Sequence, residues 1–190
     1  MLPLEGITVV TLEHAIAAPF CTRQLADLGA RVIKVERPVS GDFARAYDSR
    51  VKGLASHFVW TNRSKESLTL DLKHADAGEV VGRLLAKADV LVQNLAPGAA
   101  ARMGLSFEAL HERFPRLIVC DISGYGEGGP YEKKKAYDLL IQSEGGFLSV
   151  TGGPGDDQMA KAGCSIADIS AGMYAYSGIL SALVPRAPAG

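Results

Sequence analysis

Cysteine is scarce in this 190-residue sequence: Cys21, Cys120 and Cys164 lie far apart, without C-x-x-C or C-x-x-H spacing. That spacing excludes a zinc ribbon and a disulfide scaffold. It leaves three small buried hydrophobes in a chain suited to a reducing cytoplasm. Excess charge is also missing. Twenty Lys and Arg face 21 Asp and Glu, a net charge of −1, so no global basic field marks a nucleic-acid partner. The longest apolar stretch, Ala162 to Pro185, is broken by Asp, Ser and Gly, so no membrane partner is expected. No basic residues precede the apolar run in MLPLEGITVV, so no signal peptide is expected. The four histidines sit in settings that suggest no Ser-His-Asp or Cys-His-Asn arrangement. Glycine is absent from the first strand-to-helix turn, Glu13 to Pro19, which excludes a P-loop or a Rossmann fingerprint there. His14 in that turn reads as a plain polar residue, and the small side chains beside it would let a ligand approach the backbone.

What is present alternates. GITVVTL (Gly6–Leu12) is a β-branched run and reads as a strand. Pro19 opens a helix carrying Phe20, Leu25 and Leu28, and Gly29 ends it. RVIKVE (Arg31–Glu36) follows as a second strand, which makes a β-α-β unit. Pro38 to Gly53 reads as loop, and Ser67 to Leu72 as a short strand. Ala75 to Lys87 has helical spacing, Ala88 to Gln93 is a strand, a small helix follows Pro97-Gly98, and Phe107 to Phe114 is another helix. Leu117 to Ile122 is the last strand, and Tyr137 to Leu148 a further helix. This order predicts one α/β domain over residues 1–190, an open, mostly parallel Rossmann-like sheet flanked by helices.

Three features bear on chemistry. Gly124 to Gly129 matches G-x-G-x-x-G after a strand, but Pro130 and then Lys133 to Lys135 follow where a dinucleotide fold opens a helix. That match therefore reads as a surface loop. Basic residues recur where loops meet strands: Lys34, Arg37, Arg63, Lys65, Lys73, Arg102 and Lys133–Lys135. Such side chains hold phosphates, or simply form a solvated face. Asp168 is the only charged residue between Ala162 and Pro185, within an otherwise apolar helix. Two readings stay open for it. Ser165-Ile166-Ala167-Asp168 fits the S-x-x-D capping box, and a carboxylate in apolar packing is also a candidate nucleophile.

Seven blocks in order resemble the family III CoA-transferases: LGARVIKVERP (28–38), NRSKESLTLDLK (62–73), ADVLVQNLAPG (88–98), RMGLSFEAL (102–110), PRLIVCDISGYGEGGPY (115–131), YDLLIQSEGG (137–146) and SIADISAGMYAYSGILSAL (165–183). The resemblance implies that Asp168 is the nucleophile. It would pass through an aspartyl anhydride and an aspartyl-CoA thioester, moving CoA from an acyl-CoA to a carboxylic acid. It implies coenzyme A or acyl-CoA as substrate, no permanently bound cofactor, and a homodimer. The implied CoA contacts are Ala15, Ile16, Arg37, Leu70, Lys73, Asn94, Leu95, Arg102, Met103, Lys135 and Tyr137. Arg37, Lys73 and Arg102 would meet phosphates. Ile16 departs from the Gln that some members place there. Family chains are longer, with a second small domain and a returning C-terminal segment that have no counterpart here, so the sequence resembles their N-terminal domain. The rival readings are an α-methylacyl-CoA racemase-like enzyme and a non-catalytic CoA-binding or assembly fragment. The racemase motif H-D-x-N-Y has Tyr137-Asp138-Leu139-Leu140-Ile141 in its place, without the His.

Overall fold

Successive strand residues face opposite sides of a sheet, and here both sides are buried. Val9, Val32, Val90 and Val92 enter one core, while Val10, Val35 and Leu91 enter the other. The computed structural model describes residues 1–186. Its five strands are β1 (Thr8–Leu12), β2 (Arg31–Glu36), β3 (Lys65–Thr69), β4 (Val90–Gln93) and β5 (Ile118–Asp121). All pair in parallel in the order β3-β2-β1-β4-β5. In register, Val9 lies between Val32 and Val90, and Thr11 between Lys34 and Val92. The chain winds one way from β1 to β3 and the other way from β4, so the crevice between β1 and β4 is the topological switch point.

The helices are α1 (Ala17–Asp27), α2 (Ser56–Asn62), α3 (Ala77–Leu85), α4 (Ala99–Arg102), α5 (Phe107–Arg113), α6 (Asp138–Glu144) and α7 (Ile166–Leu183). Leu25 and Ala26 of α1 and Ile179 of α7 fill the first core. Val81 and Leu85 of α3 and Leu110 of α5 fill the second. Gly29 ends the α1 turn with φ +100°, and a Cβ there would stand 2.5 Å from Leu2 Cβ, so glycine serves both the left-handed conformation and the close approach. No helix among the described residues is long and apolar enough to cross a membrane.

The strands and most helices fall where the sequence places them. α6 is shorter than expected: it stops at Glu144, and Gly146, at φ +76°, turns the chain into a 3-10 turn at Phe147–Val150. α2 is an element that periodicity does not announce. Its sequence, SHFVWTN, contains no strong helix former. Tertiary contacts hold it: Trp60 packs on Phe20 at 5.4 Å, and Arg45 stacks on Phe58 at 3.8 Å. The cysteines are not uniformly buried as expected: Cys21 is buried and Cys120 partly so, but Cys164 is exposed in the loop before α7.

Candidate active site

Parallel strands send every β-α turn to one edge, and the expected CoA contacts gather there. Ala15 and Ile16 follow β1, Arg37 follows β2, Leu70 and Lys73 follow β3, and Asn94 and Leu95 follow β4, with Arg102 and Met103 at the end of α4. Lys135 and Tyr137 come from the long segment between β5 and α6. Gly124 shapes that segment, because a Cβ there would stand 2.0 Å from Ala136 Cβ.

The turn after β1 is tightly held. Asn94 Oδ1 accepts the His14 N–H at 3.0 Å, and Asn94 Nδ2 donates to the His14 carbonyl at 2.9 Å. Ala15 takes φ +64°, a left-handed conformation that a side chain resists, and its N–H donates to Asp42 Oδ1 at 3.1 Å. Ile16 is 5% exposed, so its side chain is buried beneath the turn. Leu70, Leu95 and Met103 are partly buried against the second core and form an apolar shoulder beside the turn. Desolvation, with Arg37 and Lys34 nearby, holds His14 below the usual imidazole range, so it is neutral at pH 7.

The basic residues separate into two groups. Lys34 and Lys65, which the sequence placed on a solvated or phosphate-binding face, are instead buried. Lys34 Nζ lies 2.6 Å from Asp42 Oδ2 and 2.7 Å from Asn62 Oδ1. Lys65 Nζ lies 2.6 Å from Glu13 Oε1 and 3.0 Å from the Pro19 carbonyl. Glu13 Oε2 also accepts from Thr11 and Thr22 at 2.8 and 2.7 Å. Burial disfavours the Glu13 charge, but Lys65 and Lys34 outweigh it and hold its carboxyl below the ordinary range. Burial brings Lys65 down to about 8 against the pull of Glu13. Two cations and two carboxylates thus balance inside the fold and fix the turn from beneath. On the surface, Arg63 is committed to Asp27 and Lys134 to Glu144. Arg37, Lys73, Arg102 and Lys135 are exposed, and none has a carboxylate within ion-pair distance among the described residues. Arg37 borders an open groove of about 250 Å³ with Glu36, Val39, Gly41, Arg45, Ser67 and Thr69. Four uncommitted cations along a strand edge suit a polyanionic ligand.

Asp168 is in the first turn of α7, which crosses α1 at Gly172. A Cβ on Gly172 would stand 2.6 Å from the Ala17 carbonyl and 3.1 Å from Phe20 Cδ1. Asp168, four residues earlier on the same helix face, therefore sits over the start of α1 beside the Ala15 turn. It is half-buried, and desolvation, followed by the neighbouring Asp138 charge, raises its carboxyl to about 6. Tyr47 is raised by burial, then by Asp42, Asp168 and Tyr137, which places all three charges or phenols around it. The expected capping box is not formed: Ser165 makes no side-chain cap bond. The Gly124–Gly129 stretch opens no helix, and the next helix begins at Asp138.

Residues 4–190 match the profile of CoA-transferase family III. The chain belongs to that family. This family III chain is 41% identical over 189 residues to the succinate–glutarate CoA-transferase of Agrobacterium fabrum, covering 96% of this chain and 47% of the relative. It is 39% identical over 184 residues to the acetyl-CoA:oxalate CoA-transferase of Acetobacter aceti, covering 97% and 47%. Among solved structures, a CAIB/BAIF family protein from Brucella suis superposes with a TM-score of 0.90 at 41% identity, covering 98% of this chain and 50% of that one. This family III chain thus spans about half the length of the curated relatives it matches.

The buried pair of lysines and the Asp138 charge beside Asp168 are not apparent in the sequence. For Lys34 a signal existed: in RVIKVE it shares a sheet face with Val32, and its neighbours Ile33 and Val35 are also apolar. For Asp138, joined to α7 only through the fold, there was none.

Proposed function

We propose that the chain is the CoA-binding and nucleophile-bearing half of a CoA-transferase that moves CoA between an acyl-CoA and a carboxylic acid. The observation that carries this is Asp168, a half-buried carboxylate raised to about 6 by desolvation and then by the Asp138 charge. At pH 7 it is mostly ionised, and it is more basic than an ordinary carboxylate, which suits attack on a thioester. The Asp168 oxygen bonds to the thioester carbonyl carbon, the C–S bond breaks, and CoA leaves as thiolate. The thiolate attacks the aspartyl carbonyl of the anhydride and expels the donor acid, leaving an aspartyl-CoA thioester. The acceptor carboxylate attacks that carbonyl, forming a second anhydride and freeing thiolate. Attack of thiolate on the acceptor carbonyl yields the new acyl-CoA and restores Asp168. Every step exchanges one acyl bond for another, with no redox partner needed. Arg37, Lys73 and Arg102 bind the CoA phosphates in this reading, and Lys135 adds charge beside them. Ala15, Ile16, Leu70, Asn94, Leu95, Met103 and Tyr137 border the adenine and the pantetheine arm. The three free cysteines fit a reducing cytoplasm. A homodimer would cover Met173 and Tyr174, which α7 exposes at 42% and 80%.

The test is a covalent one. The chain is incubated with an acyl-CoA, quenched with hydroxylamine and mapped by peptide mass spectrometry. A hydroxamate at Asp168, absent from Asp168→Ala, supports the reading. Its absence from a folded, CoA-binding chain removes Asp168 as the nucleophile.

A further inference from the structure

The helix end that a Ser165–Asp168 capping box would have served is capped from another helix. Asp138 Oδ1 accepts the backbone N–H of Ala167 at 2.8 Å and of Asp168 at 3.2 Å. Its other oxygen, Oδ2, accepts from Gln142 Nε2 at 2.6 Å. Gln142, 2% exposed, closes the chain by accepting the Ala162 N–H at 2.9 Å. Asp138 is thus held on both oxygens, by α6 on one side and by α7 on the other. Among the described residues, the Asp168 carboxylate accepts no hydrogen bond.

We propose that Asp138 is a positioning residue: by supplying the α7 cap from α6, it leaves the Asp168 carboxylate uncommitted over the Ala15 turn. This rests on the reading of Asp168 as the nucleophile. A carboxylate that accepts backbone N–H bonds is stabilised in its charged form and gives up electron density to them. An S-x-x-D sequence offers Asp168 that fate within its own helix. In that box Ser165 would accept the Asp168 N–H while Asp168 accepts the Ser165 N–H; Asp138 takes the Asp168 N–H instead, so the reciprocal pair does not close. The negative charge of Asp138 also opposes ionisation at Asp168, after desolvation. The other titratable groups that share this environment are Tyr47 and Asp42, from the segment after β2, and Tyr137, next to Asp138. None of the three supplies a positive charge.

The experiment is a carbon-detected NMR titration of the Asp168 carboxyl in the 190-residue chain, with hydrogen exchange at the Ala167 and Asp168 amides, in wild type, Asp138→Asn and Asp138→Ala. Asparagine keeps an acceptor oxygen without the charge. In Asp138→Asn, amide protection stays and the Asp168 midpoint falls from about 6 toward the ordinary carboxylate range. In Asp138→Ala, the two amides exchange roughly fivefold faster, as loss of a cap implies, and the Asp168 midpoint falls further as its own carboxylate turns onto the helix end. An unchanged Asp168 midpoint in Asp138→Asn overturns the proposal. So does unchanged protection in Asp138→Ala. If the alanine variant does not fold, the asparagine variant decides. None of these readouts involves transfer, so failure of the transferase reading is scored separately by the hydroxamate experiment.

Discussion

Asn94 grips the backbone of His14 on both sides of its Cα: its carbonyl oxygen accepts the His14 N–H at 3.0 Å and its amide donates to the His14 carbonyl at 2.9 Å. One side chain from the end of β4 thereby fixes the turn after β1, across the switch point of the sheet. Asn94→Asp keeps the acceptor but cannot donate, and it sets a new negative charge beside the proposed CoA site. We expect a stability loss of about 1–2 kcal/mol in urea titrations. CoA affinity should weaken by at least roughly tenfold in calorimetry, since the new charge opposes a polyanion. Wild-type CoA binding by this variant would separate the turn from the ligand.

The free cations give a second expectation. Arg37→Glu, Lys73→Glu and Arg102→Glu each remove an exposed side chain without an ion-pair partner among the described residues. Their effect on stability should be small, within about 0.5 kcal/mol. CoA affinity should fall by roughly tenfold or more for each phosphate deprived of its cation. Dephospho-CoA should be insensitive at whichever residue meets the ribose phosphate. Unchanged CoA affinity in all three would move the phosphates elsewhere.

Stability should depend on pH through Asp168. Its carboxyl holds a proton up to about 6 in the folded chain, against an ordinary 3.8. Between those values the folded state binds more protons than the unfolded state, so stability falls as pH rises through the window and the deficit persists above it. Asp168→Asn cannot ionise. At pH 8 it should be more stable than wild type by about 1–2 kcal/mol, a figure discounted for the solvent that a half-buried group still meets. Below pH 4 the gain should vanish. Thermal melts at both pH values check this, and an equal gain at both would assign it to something other than the charge.

The buried network predicts a larger loss. Lys65→Met leaves Glu13 facing only Lys34, at 3.7 Å. Stranding a buried carboxylate costs about 3–5 kcal/mol. Adding Glu13→Gln should restore most of it, because the amide oxygen still accepts from Thr11 or Thr22. Urea unfolding of the single and double variants measures the coupling. A single-variant loss under about 1 kcal/mol would contradict burial of the pair.

The legible parts of the fold are those where one residue's neighbours in sequence are also its neighbours in space. β-Branched runs such as TVVTL and RVIKVE mark strands by composition, and Gly29 marks a helix end by conformation. The expected CoA contacts came only from resemblance to a family. α2 was not legible, because Trp60 and Phe58 form a helix by packing on Phe20 and Arg45, which come from elsewhere in the chain. Lys65 is deceptive in sequence for the same reason: its partner Glu13 is 52 residues away. The capping box at Ser165 looked sound locally and lost to an acceptor 29 residues upstream of Ala167.

The crossing of α7 over α1 joins residues 149 positions apart, as the contact between Gln24 and Met173 shows. Closing so long a stretch of chain is entropically slow compared with forming adjacent turns. The turn that Asn94 holds is assembled from residues 14–94, whereas Asp168 lies well beyond them in the chain. On a ribosome, a ligand-ready edge would exist before there is anything to react with the ligand. If that edge binds acyl-CoA as proposed, the ligand would meet a cradle before it could meet the nucleophile.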